Sequence, residues 1–539
     1  MAMELIKKHK KKIIYLLALF GVFIVWFRMH TYMISIVPWG VHLDEAAMGY
    51  NSYCIANWGV DRYLNYMPVY PENFGRGQSA LYTYMTVVLI KLLGTGTLVL
   101  RIPAFLFSFV TLVSGFMIVN KKYGYNWALL SALLISIMPY FTQQARFGLD
   151  CNLMLGAVTL ATWIFIVALE KDKWYWYLLD GFLWGLVLHT YALSFVIVPI
   201  FLGIMVTYLL ITKKVKLRNI IIAGIPLFIL ALPLIIMVLM TRFDWNEIVT
   251  PFFTIPKLLE DRTTELSFNN FFGNLVMMMK NIFWFDEMTY NALIGFNTMY
   301  MFSVPFVIIG ALVSLYDTIQ AVRHKKVDIS MIMFVYCIAQ LFVGSMRYNT
   351  NINNMNGVFF CFLYFVVAAI RFIYNLVSHI VKKCTQKGWI QETWLFRNLK
   401  YIAIVIILAG YLLRFGLFYN YYFYEHPRTD YPQFLFNGRL DEILAEFGND
   451  FGGKTVYMEA YHIYYLLSSG ISPYEVDLQN GLLTYGNIHF VDETTLMPDF
   501  IDPEAIYIVR ETNFEYREFL KGHFNTETWN GFYRIFRNE

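Results

Sequence analysis

Charge is what this sequence has least of. Only 15% of its 539 residues are Asp, Glu, Lys or Arg while 58% are hydrophobic, so most of the chain must face something other than water. The net charge of +4 is too small to draw a nucleic acid, and no nucleic-acid partner is expected. Cysteine is scarce as well: the five present have no metal-ligand spacing and form no even disulfide framework, and Cys337 and Cys361 fall inside apolar runs. No Asn-x-Ser/Thr acceptor occurs, and Ile, Lys, Asn, Phe and Tyr abound; together these favour a bacterial plasma membrane over a secretory lumen.

What is present is a series of long apolar runs, and the chain reads as a polytopic, all-α membrane protein in a lipid bilayer. Runs of spanning length, about 20 residues, lie near 13–33, 101–119, 126–141, 152–169, 175–190, 192–211, 219–240, 300–317, 329–346, 357–378 and 401–418. Lys7 to Lys12 precede the first run as in a signal peptide, but the run continues through Val22 to Trp26 without a small-residue cleavage site, so a retained span is expected. A twelfth run, 79–93, is short and contains Tyr82, Tyr84 and Lys91. If it lies flat as an interfacial helix, Lys121 and Lys122, Lys171 and Lys173, Lys213 to Arg218, Arg323 to Lys326, and Lys382 to Lys387 all face the cytoplasm; if it spans, all of them flip outward against the loop-charge bias. Eleven spans and a flat 79–93 helix follow, giving a transmembrane domain over 1–419 with outer loops at 34–100 and 241–299. After Tyr419 the chain turns polar, with strand-like runs at 454–458 and 505–509 and a helical run at 440–447, so a small extracytoplasmic α/β domain is expected over 420–539.

The polar motifs gather on the outer face. Asp44 and Glu45 follow the first span inside HLDEAAMGY. They are either exposed loop acids or a catalytic pair, since an acceptor hydroxyl attacking a sugar carbon must pass its proton to a carboxylate within reach. Arg146 and Asp150 in ARFGLD share a face if helical, as an ion pair capping the next span or as ligands aimed into a cavity. His189 and Tyr191 end a span, where an interfacial role competes with hydrogen bonding to a phosphate or sugar hydroxyl. The 241–299 loop supplies Lys257 and Arg262 among many aromatic residues, either an interfacial belt or a loop that closes on a lipid-linked donor. Arg347 precedes a turn rich in asparagine, Asn356 included, whose amides suit sugar hydroxyls.

An acidic pair after the first span, then LRIPAF, ARFGLD, GLVLHTY and a late Arg- and Asn-rich turn, in that order, resemble the protein O-mannosyltransferase and aminoarabinose transferase group of the GT-C glycosyltransferases, over roughly residues 13–370. The resemblance implies an enzyme that moves a sugar from a polyprenyl phosphate to an extracytoplasmic glycan, lipid or protein, inverting the anomeric carbon, with Asp44 in the place of the catalytic Asp and Arg146 and Asp150 in those of the second-loop Arg and Asp. Two departures stand out: Ala47 where aminoarabinose transferases carry an Arg, and Ala104 in place of the Ser of Arg-x-Pro-Ser. Arg76 is the candidate replacement for the missing cation.

Fixed cations suffice to stabilise a phosphate leaving group, so no cofactor is required and a divalent metal is not indicated. Asp44 is assigned as base, Glu45 as its neighbour or an acceptor contact, and Arg76, Arg146, Lys257, Arg262 and Arg347 as the pool of phosphate ligands. The rival readings are a transporter or flippase of lipid-linked sugars, which predicts midplane charges and repeat symmetry, and a non-catalytic membrane assembly protein. Only Asp180 lies well inside a span, and no repeat is evident.

Overall fold

The structure is a computed structural model that describes residues 2–260, 265–284, 296–347, 351–389, 391, 393–425, 436–478, 482–491 and 497–538, with side chains from residue 12 onward. Its helices in the first half are α1 (Ala2–Thr31), α2 (Leu43–Trp58), α3 (Ala80–Leu93), α4 (Thr97–Tyr123), α5 (Tyr125–Ile137), α6 (Pro139–Gln143), α7 (Met154–Lys171), α8 (Trp174–Leu188), α9 (Ser194–Ile211) and α10 (Leu217–Phe243). The second half supplies α11 (Phe271–Phe283), α12 (Val304–Arg323), α13 (Ile329–Ser345), α14 (Val358–Gln386) and α15 (Trp394–Asn420). A helix accompanies each of the eleven predicted spans, and eight of the helices are long and apolar enough to cross a membrane. The protein is a multi-pass membrane protein.

Burial separates the centre of the bundle from its rim. In the apolar window of α7 83% of residues are buried, against 11% in α10 and in α15, whose apolar side chains are left for lipid. The helix at the predicted flat segment, α3, has 14 residues. At about 1.5 Å per residue it is shorter than the ~30 Å hydrocarbon core. It buries Tyr82, Thr86 and Ile90 against the protein and leaves Val88, Leu92 and Leu93 exposed.

The loops sort to two ends. At one, Lys121 pairs with Glu170, Lys122 reaches Asp317 and Asp328, and Lys216 reaches Asp172. Lys121, Lys122, Lys214 and Lys326 line one cavity there, so the basic loops that the charge pattern grouped together do meet. At the other end a segment after α1 forms β1 (Val41–His42), and the segment after α10 folds back as a short ribbon of β2 (Ile248–Val249) and β3 (Thr254–Ile255).

The C-terminal part is a mixed six-stranded sheet. A short strand β4 (Phe436–Asn437) and helix α16 (Leu440–Phe447) precede β5 (Val456–Met458) and α17 (His462–Ser469); then come β6 (Thr484–Tyr485), β7 (Ile488–Phe490), β8 (Ile506–Arg510), α18 (Phe514–Leu520), β9 (Thr526–Trp529) and β10 (Tyr533–Arg537). The sheet order is β6-β7-β5-β8-β10-β9, with β5 parallel to both β7 and β8. Central β8 is buried at every position because both faces are covered, Ile506 and Ile508 on one core and Tyr507 and Val509 on another. The predicted strand and helix segments at 440–447, 454–458 and 505–509 coincide with α16, β5 and β8.

This sheet does not stand apart from the bundle. Strand β4 pairs with β1, placing Val41 opposite Asn437 and His42 opposite Phe436. Ala46, Ala47, Tyr50 and Cys54 of α2 share an apolar core with Ile463, Tyr464 and Leu466 of α17, and Tyr50 and Tyr53 donate to the Ile471 and Gly470 carbonyls.

Close helix contact in the bundle depends on glycine. A Cβ at Gly181 of α8 would lie 1.8 Å from the Ala223 carbonyl oxygen of α10, whereas one at Gly203 would meet nothing within 4 Å. Gly181→Ala is expected to destabilise the protein by about 1–3 kcal/mol or more through forced separation of α8 and α10, read as a fall in thermal unfolding temperature in detergent. Gly203→Ala serves as the unperturbed control; equal temperatures for the two variants would show that α8 and α10 are not in this contact.

Candidate active site

Asp44 and Glu45 open α2, not an irregular loop as their surroundings suggested. Local sequence explains the helix. His42 caps it by accepting from the Asp44 amide at 3.0 Å, and Glu45, three residues on, accepts from the His42 amide at 3.2 Å: a reciprocal capping box with two acids in the first turn, where the helix dipole favours them. Small residues Ala46, Ala47, Gly49 and Ser52 let neighbouring elements approach, and Gly59 ends the helix in the left-handed region at φ 75°. Burial pushes the His42 imidazole below its usual pKa against the pull of Asp44 and Glu45. Its Nδ1 already accepts a backbone N–H, so the 3.9 Å approach of Asp44 Oδ2 is a contact with a neutral ring and not an ion pair.

The two acids have opposite environments. Glu45 is fully buried: Oε1 accepts from Arg101 Nε at 3.2 Å and from the Gly148 amide at 2.8 Å. Arg101, also fully buried, donates onward to the carbonyls of Ile34 and Gly40, each at 2.6 Å. Glu45 is therefore walled off from any acceptor, and its geometry is that of a clamp joining α2, α4, the Ile34–Gly40 segment and the Gly148 turn. The Asp44 side chain retains 33% exposure. Its Oδ1 accepts from Asn73 Nδ2 at 3.3 Å, and its carbonyl accepts from Gln78 Nε2 at 3.2 Å.

Asn73, Arg76 and Gln78 belong to one compact loop, closed by the Gln78 amide on the Pro71 carbonyl at 2.8 Å and by the Arg76 amide on the Asn73 carbonyl at 3.1 Å. Gly77 is needed there: its φ is 78°, and a Cβ would fall 2.7 Å from the Tyr70 ring. Two residues separate Asn73 from Arg76, so their Cα atoms are at most about 11 Å apart. Arg76 pairs with Glu260 at 2.9 Å and, through Nη1, with Glu265 at 2.8 Å. The other Glu265 oxygen meets Arg347 Nη2. One carboxylate thus holds two arginines from loops far apart in sequence. Among the described residues, the Nε and Nη1 of Arg347 are buried without a hydrogen-bond partner. Backbone bonds lace the same loops together, Val69 to Thr254 at 3.0 Å, Leu259 to Gly75 at 3.1 Å and Ser267 to Met346 at 2.6 Å.

The remaining predicted residues lie elsewhere or have other occupations. Arg146 is fully buried and donates to the carbonyls of Met29, Tyr32 and Val37 at 2.8, 2.6 and 3.0 Å, with Phe423 beneath it. Asp150 accepts from the Ser79 amide at 2.9 Å, which fixes the start of α3. Spacing by four put Arg146 and Asp150 on one face; the intervening chain is a turn, not a helix, and each serves a different neighbouring segment. His189 Nε2 bonds the Leu230 carbonyl at 3.0 Å, and Tyr191 donates to Asn354 at 3.1 Å. Asn356 accepts from Tyr140 and donates to the Cys151 carbonyl at 3.0 Å, so its amide ties helices together. Lys257 forms a surface pair with Asp244 at 2.6 Å. Arg262 lies outside the described residues. Among the described residues no group of three or more His, Cys, Asp or Glu is placed to hold a metal ion.

Asn73, Gln78, Glu265 and Arg101 are residues that sequence reasoning did not place in the site, and Arg101 is the one that carries a sequence signal. Its signal was available: an arginine at the start of an apolar run, with no acid nearby in sequence, needs a distant buried partner. A cavity of about 330 Å3 beside β1, lined by Trp39, Thr97, Arg439, Glu442 and Ser468 among others, does not include Asp44.

The fold is ArnT-like. It is similar to ArnT from Cupriavidus metallidurans bound to undecaprenyl phosphate, with a TM-score of 0.54 and 11% identity covering 97% of both chains, and to the same protein in the apo state, with a TM-score of 0.53 and the same identity and coverage. Residues 78–240, less than half of the chain, match the sequence family described as dolichyl-phosphate-mannose-protein mannosyltransferase. Among curated proteins the sequence has no match.

Arg101→Met leaves Glu45 buried without its cation, and the loss of one partner of a buried pair costs about 3–5 kcal/mol. The expected result is a large fall in unfolding temperature, much of it recovered in Glu45→Gln/Arg101→Met. If the single variant unfolds at the parent temperature, the clamp is not structural.

Proposed function

We propose that the protein is a glycosyltransferase that moves a sugar from a polyprenyl-phosphate donor to an extracytoplasmic acceptor, with inversion and with Asp44 as general base. The observation that carries this reading is Asp44 itself: a part-exposed carboxylate, in the first turn of a helix whose next residue is locked in a buried ion pair. The acceptor oxygen bonds to the anomeric carbon as its proton passes to Asp44, and the bond from that carbon to the phosphate oxygen breaks with its electron pair leaving on the polyprenyl phosphate. A dissociating phosphate needs fixed cations. Arg76 and Arg347 fill that role, drawn to one point by Glu265, and the unpartnered donors of Arg347 are free to take phosphate oxygens.

The reading puts the protein in a bacterial plasma membrane, with the Asp44 end outside and the lysine end in the cytoplasm, as the loop-charge bias requires. Residues 1–419 then form the catalytic transmembrane domain and 420–539 an extracytoplasmic domain that backs α2. The partners are a lipid-linked sugar and a glycan, lipid or protein acceptor. No metal is assigned a part.

Asp44→Asn keeps the shape and removes the base, so turnover should fall ~10²-fold or more with donor affinity retained. The assay is release of polyprenyl phosphate from a lipid-linked sugar by purified protein. Undiminished turnover would remove Asp44 from this role and leave another group as the base, whereas lipid binding without any release by the parent protein would favour a transporter of the same lipid. Donor affinity tests the phosphate site separately. Glu265→Gln frees both arginines and is expected to tighten donor binding, by about fivefold for a partly exposed pair, while Arg347→Met weakens it. Unchanged affinity in both variants would place the phosphate elsewhere.

A further inference from the structure

Arg62, in the turn after α2, is a buried cation with no part in the scheme above. It is 2% exposed, its Nη1 has no hydrogen-bond partner among the described residues, and its guanidinium lies over the rings of Phe74 and Tyr63 at 4.9 and 5.0 Å. Its Nη2 donates to Asn73 Oδ1 at 2.8 Å, and Asn73, 3% exposed, donates from Nδ2 to Asp44 Oδ1 at 3.3 Å. The Arg62 amide is itself held by Asn51 Oδ1 at 3.2 Å, and Asn51 donates to the Glu72 carbonyl at 3.1 Å, so the relay is braced from α2 at one end and from the Pro71–Gln78 loop at the other.

We infer that Arg62 and Asn73 are positioning residues for Asp44, and that they make Oδ2 the oxygen that takes the acceptor proton. The inference rests on Asp44 being the base. Its logic is one of donors and acceptors. Arginine can only donate, so the Asn73 amide must turn its oxygen toward Arg62 and its NH2 toward Asp44. An asparagine without that partner is free to flip and to offer Asp44 an oxygen, which a carboxylate repels. With the amide fixed, Oδ1 is committed and the carboxylate cannot rotate. Oδ2, 3.9 Å from the neutral His42 ring and with no hydrogen bond to it among the described residues, is left to receive a proton. Arg62 stays two bonds removed from the carboxylate, so it orients Asp44 without neutralising it in a direct ion pair.

The test is a double-mutant cycle in the full-length purified protein. Asn73→Asp is nearly isosteric: it still accepts from Arg62 but no longer donates to Asp44. The expected outcome is a fall in kcat of about tenfold or more, with donor KM within twofold of the parent and the unfolding temperature retained. In the Asp44→Asn background the same substitution should add no further loss, because a residue that acts through Asp44 has nothing left to act on. Wild-type kcat in Asn73→Asp, or an equal loss in both backgrounds, overturns the relay while leaving Asp44 as base. Full turnover in Asp44→Asn overturns both. If Asn73→Asp does not fold, Asn73→Ser is read by the same criteria, and failure of both to fold assigns Asn73 a structural role and overturns the proposal.

Discussion

The buried ion pair between Glu45 and Arg101 is the constraint on which the rest of the Asp44 end depends. Two charges with no exposure hold each other at 3.2 Å, and every further lone pair and donor described on them is directed at backbone: the Gly148 and His42 amides and the Ile34, Pro38 and Gly40 carbonyls. Desolvation makes such a pair costly to assemble and more costly to break, so it stabilises one arrangement of four chain segments over its alternatives. Glu45 is bonded to its neighbour in sequence, so the position of Asp44 follows from that arrangement.

The same end is assembled from loops distant in sequence. The loop after α2 carries Asn73 to Asp44 and Arg76 to Glu265, the segment before α11 carries Glu265, and the turn before α14 carries Arg347. Each of these charges is partly satisfied by another loop, so none has a fixed place until the helices beneath have packed. The C-terminal sheet contributes a backing to α2 through β4 and α17 and places no described hydrogen bond on the Asp44 carboxylate itself.

Arg146 shows how much a motif read from spacing alone leaves open. Its position before a span is compatible with a ligand, yet its donors close on three carbonyls between Met29 and Val37, and in that place it shapes the wall behind the site. His189, Tyr191 and Asn356 follow the same pattern, each satisfied by a helix carbonyl or a neighbouring amide. In a bundle with little water, polar side chains at span ends meet backbone groups first.

The sequence by itself determined what depends on periodicity and transfer free energy: a helix at each of eleven apolar runs, eight of them long enough to span, the short α3, the basic loops gathered at one end, the strands at 454–458 and 505–509, and the fold class. These are local quantities, summed over runs of residues. It also singled out Asp44, because an acidic pair in so apolar a chain is conspicuous. Only the tertiary structure decided that Asp44 and Glu45 begin a helix, that Glu45 is a clamp, that Arg101 is its partner 56 positions away, and that Arg62, Asn73, Arg76 and Arg347 converge on two carboxylates. The reason is physical. A buried charge specifies that a partner must exist and not which one, since pairing energy depends on distance in space and dielectric, and both are set by how the helices pack.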